Sequence, residues 1–512
     1  MTYGGTSFFS IFLLLSAFFS SFGVCAGYKV TFHDIGQGNC TVVTSPSKKV
    51  LVIDAGSSNT TGIPGVPSTG KFEHLSTRVL DSVREDLTSG NWLWFVVSHP
   101  DKDHLNLVEF MVRESGFLDL DAKEPIEGRV LGVLLGGERN IYKKADSSAL
   151  VKFLAEFNIP HFFGKDAYRL QERPGFLYVP KELPSTILRD WDGTISFLSL
   201  AADAKTFKFT SKKYKKAKKD PLEEEKEDET NAASIVMKVC CGPFSVMVTG
   251  DKTKKETNFI IDRLKEEGAE KFLESELLLA THHGSATDFV PEWVALTNPR
   301  HVVISAGRSF DHPRSEAFEG YFMNASHLTP APWHFVQFQG DFIDHGDTTR
   351  TLRSIARETP SSVEKARGYV HAITDRSVFV TASNGDIAFF STSPGVYAIN
   401  IGRKWDDQLT AVTEFFSVPQ LLSGDVISME TIRLDRMITS SSLLPIFLDD
   451  KFKGLRSLSM KEADLTNDHV GVLTALITTH ADLSSLHLTG NRFSSEGMDA
   501  IRTAWGYRGL TL

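Results

Sequence analysis

Four side chains able to bind a divalent cation fall within six positions: His99, Asp101, Asp103 and His104, in the run Phe95-Val-Val-Ser-His99-Pro-Asp101-Lys-Asp103-His104. Imidazole and carboxylate together suit zinc, manganese or iron. The run directly follows the apolar stretch Leu93–Val97, which has strand character. A strand ending in a tight loop can turn positions 99, 101 and 103 to one side, with His104 turning back as the loop closes. A helix would scatter them. The pattern therefore predicts a metal centre at a strand end; the bland alternative is a solvated surface turn.

The elements around this run have a consistent texture. Short β-rich segments recur at Tyr28–Phe32, Val50–Ile53, Leu93–Val97, Ile235–Val239, Ser245–Val248, Leu277–Ala280, Val302–Ser305 and Val378–Val380. Helical patterns lie between them, as at Ser147–Phe157 and Glu256–Glu267. Strands apolar on both faces and separated by helices predict an α/β layered sandwich.

Further motifs follow the metal-binding run in an order that resembles the metallo-β-lactamase superfamily. The run itself is similar to the HxHxDH motif of that superfamily. Ile53-Asp54-Ala55-Gly56 resembles its first motif, Val248-Thr249-Gly250-Asp251 its bridging-carboxylate motif, and Ala280-Thr281-His282-His283-Gly284-Ser285 its late histidine motif. Closer still is the hydrolase domain of ComEC-type DNA-uptake proteins. That group is similar in reading Asp34-Ile-Gly-Gln37-Gly-Asn39, Ser-His-Pro-Asp-x-Asp-His, Asn231-x-x-Ser234, His-His-Gly-Ser, and a Gly…His-Pro element, here Gly307 and His312-Pro313. The resemblance spans about residues 28–390 and implies an αββα sandwich carrying two divalent metal ions, zinc first and manganese as the alternative.

The resemblance also distributes roles. His99, Asp101 and a bridging Asp251 would hold the first cation. Asp103, His104, Asp251 and one of His282 and His283 would hold the second, with Asp54 buttressing the loop. His161, the only histidine between His104 and Asp251, is expected in a connecting strand or turn. Two cations about 3.5–4 Å apart would lower the pKa of a bridging water and polarise the oxygen under attack. Asp103 or Asp251 would orient that nucleophile, and His312 would stabilise an oxyanion or protonate a leaving group, unless it is only a turn histidine before Pro313. Gln37 would shape the pocket floor. Ser285, at an expected helix start, would offer backbone N–H groups to a phosphate.

Two departures from the pattern carry consequences. Asp101 replaces the superfamily's second histidine, and no metal-binding cysteine follows, which argues against β-lactam hydrolysis. Asn106-Leu107 replaces the Gly-Gly usual in the ComEC-type group, so the next helix is expected to start differently. The implied activity is that of a phosphodiesterase, or a nuclease. The alternatives are hydrolysis of a small ester or lactone on the same metals, or an interaction protein whose function lies in its C-terminal repeats.

Those repeats begin where the texture changes, after about Gly402. Leu455-x-x-Leu458-x-Met460 is followed 28 residues later by Leu483-x-x-Leu486-x-Leu488-x-x-Asn491-x-Phe493. A weaker copy stands at Met429-x-x-Ile432-x-Leu434 and a partial one at Tyr507-x-x-Leu510-x-Leu512. The spacing resembles leucine-rich repeats of the ribonuclease-inhibitor type, a short solenoid able to bind a protein partner. The alternative is a pair of amphipathic helices.

The expected organisation is thus a signal peptide over 1–26, a hydrolase domain over 27–403 and repeats over 404–512. Phe8–Val24 is apolar or small throughout and ends at Val24-Cys25-Ala26, a pattern that a signal peptidase accepts. An exported protein is expected, with an uncleaved anchor or a lipid on Cys25 as alternatives and no spanning segment afterwards. Residues 205–229 read as a charged insertion loop. Lys205–Lys219 holds eight lysines and Asp220–Glu229 seven acidic residues. The lysines could gather a nucleic acid, or be solvated surface neutralised by the acidic stretch. The whole chain of 512 residues is 41% hydrophobic and 23% charged, with net charge -9. That excludes pervasive disorder and any global basic field for a polyanion. Four cysteines are too few for a disulfide framework, and Cys240-Cys241 are expected as core thiols on one strand.

Overall fold

The chain is a mixed α/β protein. Its computed structural model describes residues 27–60, 63, 71–164, 168–170, 178–180, 195–201, 230–241, 244–266, 268–307, 310–344, 349–352, 365–393, 396–403, 415–423, 427–428, 430–437 and 443–507. The expected signal segment with Cys25, the lysine block and the last partial repeat beyond Tyr507 lie outside the described residues. Among the described residues, no helix is long and apolar enough to cross a membrane.

Two sheets form the main body. The first has eight strands, in the order Val396–Ile401, Ile387–Ser393, Tyr28–Phe32, Cys40–Thr44, Val50–Ala55, Trp92–Val97, Val130–Leu135 and His161–Phe163. The pairs are antiparallel as far as Val50–Ala55 and parallel beyond it. The second has six strands, Ile195–Ala201, Val236–Cys241, Phe244–Val248, Leu277–Leu279, His301–Ile304 and Val378–Val380, parallel from Phe244–Val248 onwards. The eight β-rich segments read from the sequence each coincide with one of these strands to within two residues, and the other six strands are not among them.

Alternation within the strands explains the layering. On the first sheet Val30, Phe32, Leu51, Ile53, Trp94 and Val96 join one apolar cluster with Val236, Val239, Val246 and Val302 of the second sheet. The intervening residues Val42, Val50, Val52, Leu93, Phe95 and Val97 face the other way. There they meet Leu75 and Val79 of helix Lys71–Asp81, Met111 of Val108–Glu114, and Leu150 and Leu154 of Ala145–Glu156. Helices Lys254–Glu266, Pro291–Thr297 and Ser315–Asn324 join the cluster of the second sheet through Ile260, Trp293 and Phe318. The first sheet thus carries helices on one face and packs its other face with the second sheet. Each fully buried Val, Leu or Phe contributes about 1.5–3 kcal/mol to holding the layers together.

A third, five-stranded sheet links this body to the C-terminal region. Its long pair, Pro330–Asp344 with Lys365–Arg376, is antiparallel. Val336, Phe338, Val370 and Ala372 face the main core. Trp333, Phe335 and Ile373, on the opposite parity, pack with Ile432, Leu434, Leu458 and Leu486. Strands Phe415–Ser417 and Ile427–Ser428 complete the same sheet. Residues 415–417 and 427–428 therefore belong to a sheet that begins at Pro330, and among the described residues the strands of the repeating region start only at Thr431.

In that region Thr431–Arg433, Ser457–Ser459 and Ser485–His487 stack in parallel, stepping by 26 and 28 residues. Asn491 sits between turns: its Oδ1 accepts from the backbone N–H groups of Ala463 and Leu465 at 3.0 Å each. Its Nδ2 donates to the carbonyls of Met460 and Leu488 at 2.7 Å each. One side chain thus satisfies four backbone groups of irregular chain, which is why asparagine suits that position.

Candidate metal centre

Strand ends of both sheets converge on one point. Asp54 lies near the end of Val50–Ala55, and the His99–His104 run follows the parallel neighbour Trp92–Val97; contrary to the expected loop, Asp103 and His104 sit on the short helix Lys102–Leu105, at adjacent positions that still bring both to the site. Asp251 follows Phe244–Val248, His282 and His283 follow Leu277–Leu279, and His312 follows His301–Ile304. Carboxyl ends of strands are where open α/β sheets bind ligands, because no further backbone pairing occupies that space.

Two compact donor triads result, His99–His104–Asp251 and Asp103–His104–His283. His104 Nε2 lies 3.2 Å from Asp251 Oδ1, and His99 Nε2 3.9 Å from Asp251 Oδ2. His283 Nε2 lies 3.5 Å from both Asp103 Oδ2 and Asp251 Oδ2. A tetrahedral ion with bonds near 2.1 Å separates its ligands by roughly 3.4 Å, so these spacings fit. The Nε2 atoms of His99, His104 and His283 and Oδ1 of Asp251 are buried and make no hydrogen bond. Such orphaned atoms need a partner, and a cation supplies one. These buried groups could hold a metal ion.

The far side of each ring is anchored. His104 Nδ1 donates to Asp54 Oδ2 at 2.9 Å, and Asp54 also accepts from Ser98 N at 2.6 Å and Ser98 Oγ at 2.9 Å. His283 Nδ1 donates to the Ser305 carbonyl at 2.7 Å, and the Ser305 hydroxyl donates to the Gly38 carbonyl at 2.7 Å. Ser98 Oγ lies 3.0 Å from His99 Nδ1. Proton-bearing Nδ1 atoms on His104 and His283 leave the Nε2 lone pairs pointing inward.

Charge reinforces the arrangement. Burial opposes ionisation of Asp251, but the imidazoles of His104, His283 and His282 outweigh it and hold the carboxyl well below its usual range. Burial likewise opposes a charge on His104, yet Asp251 and Asp54 raise its pKa well above 6.5. The carboxylates thus make a pocket that favours positive charge.

His282 behaves differently from its neighbour. Its Nε2 is 3.5 Å from Asp251 Oδ2, but its Nδ1 donates to Asp288 Oδ2 at 2.6 Å and the side chain is 25% exposed, so it lies at the rim. Burial lowers its pKa, but Asp251 and Asp288 prevail and raise it to about 9. The His312 ring lies 5.5 Å from that of His282 and 6.2 Å from that of His283. Burial, and then the two neighbouring imidazoles, push His312 down to about 3, so it is neutral and can donate one hydrogen bond.

The loops predicted as supports pack backbone to backbone. A Cβ at Gly38 would stand 1.9 Å from the Gly56 carbonyl oxygen and 2.7 Å from that of Asp103, so only glycine fits. Asn39 N donates to Asp103 O at 3.0 Å, and Gly56 N to Asn39 O at 3.2 Å. Gln37 Oε1 accepts from Gly307 N at 3.1 Å, tying the floor loop to the loop of His312. Asn231 and Ser234 are buried beside the metal-binding run, where Ile235 N donates to Ser98 O at 2.9 Å. Asn106, in place of glycine, accepts from Ser57 N at 2.8 Å and donates to Ser57 O at 2.9 Å, and the next helix begins at Val108.

Three expected site residues, the supports Asp34 and Ser285 and the ligand Asp101, sit elsewhere or act otherwise. Asp34 is paired with Arg403 at 2.7 Å and takes part in a clasp with Asp386, joining the first loop to the end of the first sheet. Ser285 does not begin a helix: the next one starts at Pro291, because Thr287 and Asp288 engage the Ser285 hydroxyl in a loop. Asp101 belongs to neither donor triad. Its Oδ2 is 3.7 Å from His99 Nε2, while Oδ1 binds the ammonium of Lys144. His161 lies in its strand with Nδ1 on the Ile159 carbonyl at 2.9 Å.

Sequence reasoning missed Lys144, Asp288, Ser305 and Lys252. Lys144 is remote in sequence and unmarked by any motif. Asp288 could have been found as the first carboxylate after the histidine pair. Lys252, next to Asp251, is fully buried, 2.5 Å from Thr257 Oγ1 and 4.1 Å from the centre of a Trp293 ring. No protein-family model matches this chain, and no curated protein matches it.

Proposed function

We propose that the chain is a metal-dependent hydrolase of the metallo-β-lactamase superfamily, similar to ComEC-type hydrolase domains and acting on phosphodiesters. The observation that carries this is the position of Asp251, whose carboxylate meets His104 Nε2 through Oδ1 and both His99 Nε2 and His283 Nε2 through Oδ2. One carboxylate shared by two donor sets is what a binuclear hydrolase requires. The helix-covered pair of sheets with the donors at its strand ends supports an αββα sandwich.

In this reading His99, Asp101 and Asp251 hold the first cation. Asp103, His104, His283 and Asp251 hold the second, with zinc the first choice and manganese the alternative. His283 is preferred to His282 because its Nδ1 is fixed by Ser305 and its buried Nε2 has no other bond. When bound, the cations would lower the pKa of a water and polarise the oxygen under attack. Asp103 orients the attacking water and takes its proton. Neutral His312 donates to a non-bridging oxygen of the substrate as charge builds there. His282, with Asp288 behind it, lines the more open rim.

The stacked C-terminal strands are read as a short leucine-rich-repeat solenoid that binds a protein partner. Lys205–Lys219 is read either as a segment that gathers a polyanion or as solvated surface neutralised by Asp220–Glu229, and residues 1–26 as an export signal. A zinc- or manganese-supplemented screen of a generic phosphodiester, single-stranded DNA and a lactone tests the central reading. Phosphodiester turnover that chelation abolishes and metal restores is expected. Turnover of the lactone alone would favour the ester alternative, and metal binding without turnover would favour an interaction protein.

A further inference from the structure

The geometry points to Lys144 as the residue that controls how the first cation position fills, by holding Asp101 in an ion pair. The inference rests on the binuclear reading above. Asp101, like the rim residue His282, is an expected ligand outside both compact triads, and its Oδ1 is bound by the Lys144 ammonium. Its Oδ2 still lies 3.7 Å from His99 Nε2, so the carboxylate stands between two claimants.

The ammonium is delivered by rigid structure. Lys144 is the extended residue immediately before helix Ala145–Glu156, at φ -64 and ψ 154. Leu150 and Leu154 of that helix are buried in the core beneath the metal-binding loop. An ammonium and a dication on the same small carboxylate repel each other, so each weakens the other's hold on Asp101. Asp103, the carboxylate of the other set, has no lysine or arginine paired with it among the described residues; its Oδ2 faces His283 Nε2 at 3.5 Å. The second position therefore fills first. The first fills only when Lys144 releases Asp101, and its side chain, 63% exposed, has water to move into.

Titration of the full chain with manganese alone, followed calorimetrically, tests this. The native protein should show two unequal steps. Lys144→Met should tighten the weaker step by roughly tenfold or more and leave the tighter one unchanged, because only one position touches Asp101. Lys144→Arg, which keeps the charge, should behave as the native protein. Asp101→Asn should remove the weaker step in either background. An unchanged weaker step in Lys144→Met would overturn the role of Lys144 while leaving the binuclear reading intact. Absence of any manganese binding in all of these proteins would overturn both.

Discussion

His104 and Asp54 form a buried pair in which Nδ1 donates to Oδ2 at 2.9 Å, and neither side chain is exposed. Asp54 holds φ at +54°, a left-handed conformation that Asp and Asn tolerate better than other residues with a Cβ. Asp54→Asn therefore keeps the backbone while removing the charge that fixes the His104 tautomer. Metal affinity should fall about 10- to 100-fold, as measured by competition with a chelator, with little change in Tm. Undiminished affinity would mean that His104 is not a ligand.

A second expectation concerns acid. His301 is buried, its Nδ1 2.6 Å from Ser377 Oγ and its ring 5.0 Å from that of Phe389. Burial, and to a lesser degree Arg300, lower its pKa from 6.5 to about 4. Between those values the folded protein binds fewer protons than the unfolded chain, so stability present above about pH 6.5 is lost as pH falls toward 4. The full traverse is worth up to about 3 kcal/mol. His301→Gln should flatten that part of the stability curve in denaturant titrations. Parallel curves for the two proteins would refute the assignment.

The third prediction concerns the C-terminal region. Read from sequence, the repeats form a separable module. In the structure they share one apolar cluster with Trp333, Phe335 and Ile373, and Phe415–Ser417 is an edge strand of the third sheet. Removing 404–512 would expose those three side chains and a sheet edge, a loss of several kcal/mol. The truncated chain should aggregate, or melt well below the native protein. A soluble truncated protein with native Tm would contradict the interlock.

These cases show where sequence was informative. His99, Asp101, Asp103 and His104 are legible because one strand end presents them together, and the strands around them are legible because Val30, Phe32, Leu51 and Ile53 alternate with residues of the opposite face. What eluded the sequence is set by contacts made at a distance. Lys144 reaches Asp101 across 43 positions, and nothing local marks it. The difference between His282 and His283 depends on two consecutive left-handed residues that turn their rings apart. Ser285, following Gly284, reads from sequence as a helix start, but Asp288 captures its hydroxyl instead. The third sheet was missed as a unit because its partners, Pro330–Asp344 and Phe415–Ser417, are joined only through Lys365–Arg376.

The most direct test of the central claim is the metal content of Asp251→Ala compared with the native chain. Both proteins would be equilibrated with saturating zinc or manganese, freed of loose ions and analysed for metal per chain. Asp251 faces both donor sets, so its removal should empty the first position, cripple the second and abolish phosphodiester turnover. Native stoichiometry in Asp251→Ala would contradict a bridging carboxylate, and with it the binuclear hydrolase.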